Sequence, residues 1–297
     1  MTTIAEHNEL TLANPDAHYQ KVRLLEPTTL GYIHLAAAVE PQMPPLSFIL
    51  PTGRDKTALL VRSQELAQRL EQETAVERVT LFDAIVIPPV ARFSPYLRER
   101  GEAIHTPRFD VVVLIETTTP AVIDDVQALP TYRTLVDTLH SAASDMHIMT
   151  ARNARRVGDV DEDRQGLFLF NYFVGDDPEV TLQLWDYLAD WYVKETGMDN
   201  SILLAPLNGE QSDYTLINHA RWDESLLRFF WQQFGTPSFR HYVLGNLEAN
   251  RVGAMPLLYR LVTDQPARQW SPWVITLGAA ALSMGLVWWR RRSQVIV

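Results

Sequence analysis

Hydrophobic and polar positions along the chain spell one order of elements twice. The apolar stretch GYIHLAAAVE opens the first copy and reads as a strand. After a Pro-rich loop, residues 55–73 place Leu59, Leu66 and Leu70 on one helical stripe. The runs RVTLFDAIVI and FDVVVLIETT then read as strands, a helix starts at Pro120, and HIMTARNA closes the copy as a strand. The second copy opens with LFLFNYFV, followed by a helix with Asp177 as N-cap and Pro178 in its first turn, running to Gly197. Strands SILLAPL and YTLINHARW flank an Asn208-Gly209 hairpin turn. A helix over residues 221–242 and strand MPLLYRLV complete it. Each copy is therefore βαββαβ, the split pattern of ferredoxin-like folds.

Both copies also break their last helix at a proline. Pro130, Tyr132 and Arg133 in LPTYRTLVDTL match Pro237, Phe239 and Arg240 in TPSFRHYVLGNL. Between the copies, RRVGDVDEDRQG reads as a solvated linker. Its Asp159, Asp161 and Asp163 are spaced like a calcium loop, but Arg164 occupies the position that needs glycine. Strands such as LFLFNYFV and FDVVVLIE are apolar on both sides, so the two sheets are expected to pack against each other within the chain.

The end of the chain has a different character. Residues 272–289, PWVITLGAAALSMGLVWW, carry no charge and approach the ~20 residues that a spanning helix needs. Trp273 stands at one end, Trp288 and Trp289 at the other, and Arg290, Arg291 and Arg292 follow. The polar, acidic first twenty residues have no basic n-region or apolar core and do not read as a signal peptide. The expected fold class is thus α+β: tandem ferredoxin-like repeats forming a dimeric-α/β-barrel-like unit within one chain, plus a C-terminal transmembrane helix. The segments are a polar N-terminus (1–24), a first repeat (25–154), a linker (155–166), a second repeat (167–265) and the span (271–290). The expected location is a single pass in the cytoplasmic membrane with the folded part in the cytoplasm.

Composition narrows the chemistry. A formal net charge of −10 over 297 residues argues against nucleic acid as a partner. The absence of cysteine removes disulfides, iron–sulfur clusters, thiolate metal sites and cysteine nucleophiles. One polar residue interrupts LFLFNYFV: Asn171, whose amide needs a partner wherever it is buried. Aromatic side chains crowd residues 221–242, among them Trp222 and Trp231, with His241 close behind. His34 and His147 lie in apolar strands and read as core or strand-end residues.

With these residues in place, the second repeat (about 167–262) resembles the antibiotic biosynthesis monooxygenase superfamily, small ferredoxin-like domains that pair through their sheets into an α/β barrel. The generic likeness lies in the first strand, in ARWDES ending the third, and in LLYRLV as the last. Asn171 in LFLFNYFV, Trp231 in RFFWQQF and His241 in SFRHY are similar in order and spacing to the haem-degrading, IsdG-type branch. That resemblance implies His241 as haem-iron ligand, Trp231 and Trp222 against the macrocycle, and Asn171 at the oxygen-binding side. Haem would be both substrate and cofactor, with an external electron donor and a reductase partner. In the first repeat Thr134 stands where His241 would be and Asp124 where Trp231 would be, which implies one cavity per chain. Read without the resemblance, Leu227, Trp231 and Phe234 share a core-like stripe, and Asn171 could bond neighbouring backbone. Two other functions stand beside the membrane-tethered haem-degrading monooxygenase. One is cofactor-independent oxidation of a polycyclic phenol or quinol, with Asn171, Trp222 and Trp231 lining the site. The other is a non-catalytic module binding haem or another lipophile.

Overall fold

The structure is a computed structural model and describes residues 9–263 apart from 18, 43–51, 90–93 and 208. The first half runs β1 (Gly31–Ala38), α1 (Arg54–Leu70), β2 (Val76–Val86), α2 (Pro95–Arg100), β3 (Val111–Thr117), α3 (Ile123–Ala128), α4 (Pro130–Ala142) and β4 (Asp145–Gly158). The second runs β5 (Leu167–Gly175), α5 (Pro178–Thr196), β6 (Ser201–Pro206), β7 (Leu216–Trp222), α6 (Leu226–Phe234), a π-helical turn (Phe239–Leu244), α7 (Gly245–Ala249) and β8 (Val252–Leu261). Local chemistry sets the longest helix. Asp177 accepts hydrogen bonds from the Glu179 and Val180 amides at 2.8 and 3.3 Å. Gly197, at φ +66°, takes the left-handed turn that ends α5.

The eight strands form one closed antiparallel barrel, ordered β1-β3-β2-β8-β5-β7-β6-β4. This corrects the expected pair of packed sheets. Each half supplies four strands whose outer members, β2 and β4 or β8 and β6, would be unpaired edges. The structure removes all four edges by pairing β2 with β8 and β4 with β6. Bulges at Ala84/Val86, Asn153/Arg155 and Arg156/Gly158 sit on these two seams, where the curvature of closure is taken up.

Strand alternation divides the core in two. One face of every strand fills the barrel, with Tyr32, Phe82, Phe168, Phe170, Tyr172 and Tyr259 among the buried rings. The other face meets the helices: α1 and α4 cover the first half, with Leu59, Leu66 and Leu70 buried against Leu135 and Leu139. Helix α5, the π-turn and α7 cover the second half.

Three sequence expectations are revised. No helix among the described residues is long and apolar enough to cross a membrane. The transmembrane part of the fold class, the membrane partner and the single-pass location are corrected accordingly, and residues 271–290, on which they rest, lie outside the described residues. The helix expected over 221–242 is instead the end of β7, α6, and a separate π-turn after the break at Gly235-Thr236-Pro237. The segment read as a solvated linker begins as strand, since β4 extends to Gly158, and it sends Glu162 into a buried position.

Candidate functional site

Alternation along β5 points Phe168, Phe170 and Tyr172 into the barrel. Leu169, Asn171 and Phe173 face the helices and line a small enclosed cavity. Strand β7 pairs with β5 so that Asn171 stands opposite Asn218. Trp185 and Tyr192 of α5, Trp222 at the end of β7, and Val243 and Leu247 of the helical cover complete a largely apolar wall. The cavity volume is about 40 Å³.

Its polar groups are few and differently committed. Trp185 Nε1 donates to Asn218 Oδ1 at 3.0 Å, and Ser201 Oγ donates to the same oxygen at 2.6 Å. Trp222 Nε1 donates to Thr196 Oγ1 at 3.2 Å, and Gln233 Nε2 reaches Tyr192 Oη at 3.2 Å. Burial pushes the Tyr192 phenol well above its ordinary pKa, so it stays a neutral hydroxyl. Asn171 is buried, and its Oδ1 has no hydrogen-bond partner among the described residues. An unpaired buried acceptor costs about 1–3 kcal/mol, which a ligand donor would recover.

Of the sequence-derived site residues, Asn171 and Trp222 line this cavity together. Trp231 does not: it lies on the outer side of α6 with 77% of its surface exposed. His241 is exposed on the π-turn, where its backbone carbonyl accepts from Asn14 Nδ2. Haem requires a cavity of several hundred Å³ with the iron ligand facing it. Neither His241 nor Trp231 lines the cavity, so the implied iron ligand does not face it and these residues do not fit haem in this form. Among the described residues no group of three or more His, Cys, Asp or Glu side chains gathers as a metal site. Asn218 escaped the sequence reading, although it interrupts LINHARW much as Asn171 interrupts LFLFNYFV.

Two further regions of the barrel carry polar side chains. An open groove of about 650 Å³ at the β6–β7 end is lined by Tyr96, Arg100, Arg152, Asp176 and Glu210. Arg100 is already paired with Asp176, and Glu210 is held by the Thr150 amide and hydroxyl. Inside the barrel, His34 is fully buried, its Nε2 3.4 Å from Tyr172 Oη and its Nδ1 without a partner. Burial first, and then the neighbouring His147 and His219, hold His34 well below the ordinary histidine pKa. His147 is lowered to about 4, chiefly by burial. At the barrel mouth, His105 binds Asp213 through Nδ1 at 2.6 Å and Asp145 through Nε2 at 2.7 Å. The enclosed cavity is favoured as the site because it joins an apolar aromatic wall to an unpaired buried acceptor, Asn171 Oδ1.

No family model matches the sequence, and no curated protein matches it. The fold has counterparts among solved structures. An anthrone oxidase-like protein superposes with a TM-score of 0.53 at 11% identity, covering 79% of this chain and 91% of that one. A protein from Fusobacterium nucleatum bearing a monooxygenase name gives 0.48 at 6% identity, covering 79% and 92%. A chlorite dismutase from Candidatus Nitrospira defluvii gives 0.40 at 11% identity, covering 86% and 97%. At these identities the likeness is one of fold: the chain shares a closed α+β barrel with the anthrone oxidase-like protein.

Proposed function

We propose that the chain is a cofactor-independent monooxygenase that oxidises a polycyclic phenol, quinol or anthrone in the cavity beneath α5 and the π-turn. The observation that carries this reading is the buried, unpaired Oδ1 of Asn171 in an aromatic-lined cavity. A ring hydroxyl is the donor that such an acceptor lacks, while the ring itself replaces water against Trp185, Trp222 and Leu169. The name of the anthrone oxidase-like structure agrees with that substrate class.

The reaction needs no resident redox group, because an electron-rich substrate reduces oxygen itself. For an anthrone, a ring C–H proton passes to solvent and the resulting enolate gives one electron to O2. The radical pair joins as a carbon-bound peroxide that takes a proton back, and loss of water leaves a carbonyl. The net change, CH2 + O2 → C=O + H2O, balances both oxygen atoms and all four electrons. The protein binds and orients the ring, accepts the hydroxyl hydrogen at Asn171 and keeps bulk water away. A tricyclic ligand does not fit the closed cavity, so Val243 and Leu247 must move with the cover. The cover includes the π-turn at Phe239–Leu244, a feature frequent at functional sites.

Oxygen uptake with 1,8-dihydroxyanthrone, without added metal, flavin or haem, tests the reading. Catalysed uptake above the autoxidation rate is expected, with kcat/KM falling about tenfold or more in Asn171→Ala, the loss of one buried hydrogen bond. Uptake no faster than autoxidation, together with His241-dependent binding of hemin, would favour haem chemistry instead.

A further inference from the structure

We infer that Asn218 is a second substrate-binding group in this cavity, a fixed donor that selects ligands carrying an oxyanion or carbonyl oxygen beside a hydroxyl. This rests on the monooxygenase reading above and names the substrate feature that the site recognises. The argument begins with Trp185. Indole Nε1 can only donate, so its 3.0 Å bond to Asn218 fixes which amide atom faces it: the oxygen. Ser201 Oγ, at 2.6 Å, takes up the same oxygen's other lone pair. The Asn218 amide is thereby locked, its oxygen committed to Trp185 and Ser201 and its Nδ2 the atom left to meet a ligand.

Strand register does the rest. Asn171 and Asn218 are opposed across the β5–β7 ladder and both line the cavity. Side chains opposed in this way start ~4.5–5.5 Å apart at Cβ, close enough to engage two oxygens on one edge of a ring system. Asn171 offers an unpaired acceptor, and Asn218, its oxygen occupied, has only its Nδ2 donor to offer. A ligand with a hydroxyl next to a keto or phenolate oxygen satisfies both; a lone phenol donating to Asn171 satisfies only that one, and a plain hydrocarbon satisfies neither. In an apolar pocket the donor also favours the ionised ligand, because a hydrogen bond to the charged form lowers its pKa. The anion is the form that gives up an electron to oxygen. Asn218 therefore binds substrate directly, while Trp185 and Ser201 are positioning residues that hold its orientation.

An anaerobic pH titration of 1,8-dihydroxyanthrone absorbance with excess full-length protein reads this out. Burial raises the bound probe's pKa as it raises that of Tyr192, and the Asn218 donor offsets part of the rise. The apparent pKa in wild type should therefore lie about one unit below that in Asn218→Ala, a tenfold preference for the anion. Asn218→Ala should bind the probe, as followed by tryptophan fluorescence quenching, but with its pKa raised to a value about one unit above that in wild type. Asn218→Asp keeps the volume and the bonds from Trp185 and Ser201, yet puts a negative charge at the donor position, and should raise the pKa above that value. Trp185→Phe, which keeps the aromatic contact and removes Nε1, should give an intermediate shift. A wild-type shift retained in both Asn218 variants would overturn the inference while leaving the oxygen-uptake result untouched. Failure of wild type to bind the probe at all would overturn it together with the reading it rests on.

Discussion

Glu162 Oε1 lies 3.0 Å from His219 Nε2, and both side chains are buried at the end of the barrel. His219 Nδ1 reaches the Leu169 carbonyl at 3.0 Å, and Thr80 Oγ1 donates to the other oxygen of Glu162. A residue from the connection between the two halves thus ties β2 of the first half to β7 of the second.

Glu162→Ala should cost about 1–3 kcal/mol, because Thr80 and His219 would each keep a buried polar atom with no partner. Urea denaturation measures this. The same change should act on Glu116, whose carboxyl is raised to about 7 by burial and then by the Glu162 charge. With a folded pKa above its ordinary 4.5, Glu116 lends stability below that value and loses it as pH rises toward about 7. Removing Glu162 should move the Glu116 titration downward, as followed by NMR.

Lys56→Met should destabilise the first half strongly. Lys56 Nζ lies 2.7 Å from Asp83 and 2.8 Å from Asp110, and all three side chains are buried. Asp110 also accepts from the Val39 and Glu40 amides at 2.7 and 3.0 Å, while Arg260 of β8 reaches Asp83 at 2.7 Å. Losing the lysine leaves two carboxylates crowded in a dry site, a change that costs about 3–5 kcal/mol. A double change, Lys56→Met with Asp110→Asn, should recover part of that loss. Equal stability of the single and double variants would show that the two charges are not coupled.

The barrel mouth should respond to pH in two opposed ways. Burial alone would lower His105, but its bonds to Asp145 and Asp213 outweigh this and raise it. Its contribution is fully present below the ordinary 6.5 and is lost as pH rises through the raised value. His147 runs the other way: lowered to about 4, it favours the fold above 6.5 and weakens it as pH falls toward 4. In thermal melts across pH 4–9, His105→Asn should remove the loss on the alkaline side and leave the acid-side loss in place.

Two tryptophans should separate cleanly. Trp231, 77% exposed, should tolerate alanine within about 0.5 kcal/mol. Trp191 is fully buried and donates to Ser238 Oγ at 3.1 Å, so its loss should cost about 3–5 kcal/mol. A large cost at Trp231 would mean that its surface is covered in solution.

The amino-acid sequence by itself determined the local elements. Leu59, Leu66 and Leu70 mark a helix because their spacing puts them on one side whatever they meet, and Asp177 caps α5 with its own side chain. It also marked Asn171 as a residue in want of a partner. Tertiary structure decided how the strands close, because edge pairing between β2 and β8, or β4 and β6, joins positions more than forty residues apart that leave no local pattern. It decided that Glu162 is buried, since a charged run looks solvated until the partner that satisfies it, His219, arrives from a distant strand. It also placed Trp231 and His241 outside the cavity and brought Asn218 into it. Helical spacing sets which residues share a stripe, but the angle at which α6 and the π-turn lie on the barrel sets which stripe faces the cavity, and that angle is fixed by packing.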